Sequence, residues 1–162
     1  MSVNKKKSLK TKEELILASE HLHYEINMFN ETICLLIKNG NKQTAISNIL
    51  IESITMRIRI LLHFLYPEDK RSGDILAEHF FEDPIDWLTL RGEMPVELQD
   101  VKFRVGKEIV HLTYERLNKS VEEKKWNFNK LFFAISKPIN VFLEHVPKEK
   151  LDSNYFNNGK LI

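Results

Sequence analysis

The sequence predicts an all-α fold: an up-and-down bundle of four main helices, with one or two short helices in the connection over residues 68–94. Three observations predict it. Apolar residues return at three- and four-residue steps along most of the chain. Capping signals bracket those periodic stretches. Five Gly and five Pro among 162 positions are too few for the turns that an all-β chain needs.

Thr11-Lys-Glu-Glu14 has capping-box spacing and starts the first helix. Leu15, Ala18, Leu22, Ile26, Phe29, Ile33, Leu36 and Ile37 then form one stripe up to Asn39-Gly40, which supplies a C-cap. A second helix is expected over 42–66, from Lys42 to Tyr66, stopped by Pro67. Its stripe is Ile51, Ile54, Ile58, Leu61, Leu62 and Leu65, while Ile46, Ile49, Leu50 and Phe64 spread apolar character around the cylinder. A helix of that kind is central to the bundle. In the following connection Phe80, Phe81 and Trp87 are expected to plug the core. Pro95 suits the first turn of a third long helix, 95–118. Ser120-Val-Glu-Glu123 repeats the capping-box spacing ahead of a fourth helix over 126–145, kinked at Pro138 and ended by Pro147.

The balance of 24 Lys+Arg against 23 Asp+Glu excludes a strongly basic nucleic-acid coat protein and an acidic solvating tail. Cys34 is the only cysteine, so neither an internal disulfide nor a thiolate zinc site can form. The longest apolar runs are broken by residues such as Arg59 and His63, no membrane span is expected, and MSVNKKKSLK is no secretory signal. The expected location is the cytoplasm. The length suits a single domain: a flexible tail over 1–10, the bundle over 11–146, and a loosely attached tail over 147–162.

On the third helix Leu98, Val101, Val105, Ile109 and Leu112 share one arc, and Phe103, Val110, Tyr114 and Leu117 a second. Between them Asp100, Arg104, Lys107 and His111 fall on a polar lane, with Arg104 and His111 two turns apart on nearly one face. Two readings stand. The lane is a solvated stripe held by Asp100–Arg104 pairing, or its guanidinium and imidazole hold a phosphodiester, one neutralising oxygens and the other moving a proton. The second helix offers a companion arc of Glu52, Met56, Arg59, His63 and Tyr66, with Arg59 facing the lane. Arg57 projects among apolar residues and must be paired or snorkel outward, a carboxylate of the third helix being one partner.

The segments Glu52–Tyr66, Asp74–Phe81 and Arg104–Tyr114 resemble blocks shared by a group of small bacterial proteins, and that group resembles the HEPN superfamily. Those all-helical domains carry an Arg separated by four to six residues from a His, and six residues separate Arg104 from His111. The resemblance implies metal-independent RNA cleavage by a homodimer in toxin–antitoxin or phage-defence systems, with an antitoxin protein as a further partner. It implies His111 as general acid or base and Arg104 as stabiliser of the transition state; Lys107, Tyr114 and Arg59 are then candidates for positioning phosphate. Val105 departs from the polar residue that follows the Arg in many active members, and the superfamily includes non-catalytic domains that bind RNA or a partner.

Glu20–His23 and Glu108–His111 match the Glu-x-x-His spacing of di-metal bundles, but Glu20 and His23 lie opposite the first helix's stripe and are expected to face water. No metal or other cofactor is implied. Lys5, Lys6 and Lys7 read as a solvated end.

Overall fold

The computed structural model describes residues 10–40, 44–157 and 160–161. The basic run Lys5–Lys7, the expected helix start at Lys42 and the end of the chain's expected loose tail at 158–159 and 162 lie outside the described residues. The fold is all-α, with one two-residue antiparallel ladder pairing Phe156–Asn157 with Lys160–Leu161. Its helices are α1 (Lys12–Asn39), α2 (Ala45–Leu65), α3 (Pro84–Arg91), α4 (Val96–Gln99), α5 (Val101–Val105) and α6 (Phe128–His145). None of the described helices is long and apolar enough to cross a membrane.

α1 begins at the capping box read from the sequence: Thr11 Oγ1 accepts the Glu14 N–H at 3.1 Å, and Glu14 accepts the Thr11 N–H at 2.8 Å. It ends at Gly40, whose φ of 66° lies in the left-handed region that glycine tolerates. Leu15, Leu22, Ile26, Phe29 and Ile33 are buried as expected, against Ile54, Ile58, Leu61 and Leu65 of α2 and Leu131, Ile135 and Phe142 of α6 in one continuous core. α2 packs on α1, α5 and α6, but Ile46, Ile49, Met56 and Ile60 remain exposed, so the helix is central with one side open.

The connection over 68–94 folds as a 3-10 turn, Ala77–Phe80, followed by α3. Phe80, Phe81 and Trp87 are buried and meet Phe142 edge to face at 5.5, 6.0 and 5.6 Å. The same segment finishes α2. The Leu65 carbonyl, left without a helical partner, accepts Trp87 Nε1–H at 3.1 Å and Arg91 Nη1–H at 2.9 Å.

Three expectations need correction. The third helix is not continuous over 95–118: α4 and α5 are separated at Asp100, a π turn occupies Gly106–Val110, and a 3-10 turn Tyr114–Asn118 follows. Leu98, Val101 and Val105 are buried, but beyond the break Leu112 is 92% exposed. The Ser120–Glu123 box forms both of its hydrogen bonds, at 2.8 and 3.3 Å, yet it closes an isolated turn. α6 is instead capped by Asn127, whose Oδ1 accepts the Lys130 N–H at 3.1 Å; Pro138 lies within the helix. Finally, residues 147–156 are no loose tail. Leu151 and Phe156 join the core, and the Asp152 N–H donates to Ser19 Oγ of α1 at 2.8 Å. His23 accordingly packs against Tyr155 and Phe156 rather than facing water, whereas Glu20 is exposed.

Candidate functional site

Val105, Ile109, Val110 and Thr113 are β-branched and Gly106 is the most flexible residue available, so the stretch after Arg104 has weak helical preference. The helix widens there into the π turn and stops, and His111 is extended with φ −115° and ψ 142°. Carbonyls released by the ending helix are taken up by side chains further on. Thr113 Oγ1 and Arg116 Nε donate to the Lys107 carbonyl at 3.0 and 3.4 Å, and Arg116 Nη2 donates to the His111 carbonyl at 2.8 Å. Arg104 and His111 therefore sit on different elements, not on one helical face.

The Arg104 guanidinium is engaged on three sides. Its Nε and Nη2 donate to the two oxygens of Glu108 at 2.9 and 3.0 Å, Nη2 also donates to the Glu123 carbonyl at 3.2 Å, and its carbon lies 3.9 Å from the centre of the Trp126 ring. Such a fork-to-fork pair combined with stacking uses most of what an arginine offers. The partner is Glu108, not Asp100, and Lys119 also donates to Glu108. Burial pushes the Glu108 carboxyl up, but hydrogen bonds and charge from Arg104 and Lys119 outweigh it and hold the group below its ordinary range. Glu108, Trp126, Lys119 and Arg116 were not legible as a cluster. Only the i,i+4 spacing of Arg104 and Glu108 was visible in the sequence.

The other expected site residues are dispersed. Lys107 donates to Glu115 at 2.7 Å, and chiefly this bond brings the Glu115 carboxyl down to about 2. The His111 imidazole is exposed and makes no hydrogen bond with the described residues, and Tyr114 is 86% exposed. Arg59 does not face either of them. It lines a cleft of about 330 Å³ with His63, Tyr66, Asp74 and Lys102, a cleft that Arg104 and His111 do not reach. There His63 Nε2 meets Asp74 Oδ2 at 2.9 Å, and the same oxygen accepts the Arg71 N–H at 2.8 Å. Asp74 lies eleven residues from His63, and the Arg71-Ser-Gly-Asp74 turn residues were its only signal.

Glu52 and Met56 of the companion arc turn instead to a second groove of about 500 Å³, shared with Ile49, Ile60, Ile109 and Val110. Arg57 borders that groove and is paired as expected, but with Glu25 of α1 at 2.6 Å, and its guanidinium lies 5.2 Å from the Tyr24 ring centre. Among the described residues no group of three or more His, Cys, Asp or Glu is placed to hold a metal ion.

No protein-family model matches the chain, and no curated protein or solved structure matches it.

Proposed function

We propose that the chain is a non-catalytic helical interaction domain whose partner is a second copy of itself, docked through the segment 103–121 and the open side of α2. The observation that carries this reading is exposed apolar side chain: Val110 shares a groove with Ile49, Met56 and Ile60, and Phe103, Leu112, Leu117 and Val121 are exposed along the same segment. Exposed apolar surface of this kind is what self-association covers. The engagement of Arg104 with Glu108 and Trp126 supports a structural role for the arginine. Light scattering at micromolar concentration should return twice the 19.1 kDa chain mass, and Leu112→Glu should return the monomer with an unchanged helical spectrum. A wild-type mass near 19.1 kDa would overturn the reading.

A second reading, an HEPN-like metal-independent endoribonuclease of toxin–antitoxin or phage-defence type, is favoured by one observation: the His111 imidazole is exposed and unengaged by the described residues. In an isologous dimer two such imidazoles would meet across the axis, and Arg104 would exchange Glu108 for phosphate oxygens. An antitoxin protein would mask the same face. Cleavage of RNA in the presence of a chelator, leaving 2′,3′-cyclic phosphate ends and lost in His111→Ala, would establish it. Intact RNA after incubation with the wild-type dimer would exclude it.

A further inference from the structure

A cleft at the C-terminal end of α2 is built differently from the rest of the surface. Arg59 and His63 are one turn apart on α2 and line the same wall. Among the described residues the Arg59 side chain has no hydrogen-bond or ion-pair partner, although it is half-buried. His63 is the opposite case, since its Nε2 is fixed by Asp74, which is itself fixed by the Arg71 backbone N–H. The Arg71 hydrogen bond first, and the His63 bond second, hold the Asp74 carboxyl below its ordinary range. An ionised Asp74 keeps a proton on Nε2 and leaves Nδ1, the other ring nitrogen, as the atom available to a ligand, to which it donates once the ring carries a second proton.

In the same lining, and among the described residues, Lys102 is held only by Glu68, in an exposed pair at 2.6 Å. Such a pair contributes little, so an anionic ligand can replace the glutamate. Beneath these groups lie the buried side chains of Leu62 and Leu98. The cleft thus combines an unengaged guanidinium, an oriented imidazole and a releasable ammonium over an apolar floor, with the carboxylates of Glu68, Asp69 and Asp74 also in its lining. Its volume of about 330 Å³ falls at the lower end of small-ligand sites.

We propose that this cleft binds a small organic phosphomonoester, with Arg59 and Lys102 on the phosphate oxygens, His63 as the oriented third donor, and the ligand's apolar body against Leu62 and Leu98. A phosphomonoester near neutrality carries close to two negative charges and three acceptor oxygens, which matches three cationic or protonatable donors better than a carboxylate does. The inference does not rest on self-association or RNA cleavage, because neither Arg104 nor His111 lines the cleft.

The test is titration of the isotopically labelled full chain with phenyl phosphate, followed by NMR. Inorganic phosphate, benzoate and phenol serve as comparisons. Phenyl phosphate should saturate, shift the His63 ring signals and bind about tenfold or more tightly than each comparison, in keeping with charge-assisted hydrogen bonds added to apolar contact. Arg59→Gln and His63→Asn should each weaken it about tenfold, and Lys137→Gln, at an exposed position outside the cleft, should leave it unchanged. Equal binding of benzoate would move the site to carboxylates and overturn the phosphate assignment. Absence of saturable shifts at His63 in the wild-type chain would overturn the site itself, with no dependence on how the variants fold.

Discussion

Arg104→Ala should destabilise the fold by about 1–3 kcal/mol in urea denaturation, because it removes a bidentate partner from half-buried Glu108 and uncovers Trp126. Arg104→Lys should recover only part of that loss, since an ammonium cannot fork. The pair also sets a pH dependence. Glu108 titrates below its ordinary 4.5 in the folded chain, so its stabilisation is fully present above that value and is lost as the pH falls through the folded one. Denaturation midpoints measured from neutral pH to about pH 3 should show a smaller acid decline in Arg104→Ala than in wild type. At this scale the sequence was legible where partners are close along the chain, as for Thr11 and Glu14. It was legible in kind but not in partner for Arg57: placement among apolar groups required pairing or snorkelling outward, and only helix packing selects Glu25 of α1 over a carboxylate of the third helix.

Two capping signals precede α6, and they should separate by experiment. Asn127→Ala should cost about 0.5–2 kcal/mol and weaken amide protection in the first turn of α6. Ser120→Ala should leave that protection unchanged, because its box closes a turn that does not continue into the helix. A loss of α6 protection in Ser120→Ala would restore the helix start that the spacing predicts. The long helices α1, α2 and α6 were legible because each sustains a stripe over many turns. The 96–118 stretch was not, because Ile109, Val110, Leu112 and Leu117 continue a helical period in letters while the backbone has already left the helix. Periodicity cannot distinguish a buried face from an exposed apolar one. It also cannot register that Thr113 and Arg116 offer the Lys107 carbonyl an alternative to the next helical turn.

For the molecule as a whole, the segment after Pro147 separates the two pictures. Phe156→Ala should cost about 3–5 kcal/mol if this ring is core, as its burial indicates, and almost nothing if the tail is loose; thermal denaturation decides. The sequence understated this segment because Leu151, Tyr155 and Phe156 are too sparse to show a period, and the rings of Tyr155 and Phe156 pack on His23 of α1, far away along the chain. That anchoring has a consequence for synthesis. The bond from Asp152 to Ser19 spans 133 positions, so at ordinary elongation rates the N-terminal half of α1 waits roughly 7–27 seconds for its cover to leave the ribosome. Nascent chains stalled with residue 146 outside the exit tunnel should therefore leave the Ser19–His23 stretch open to protease and to chaperones. Chains stalled with residue 157 outside it should close that window.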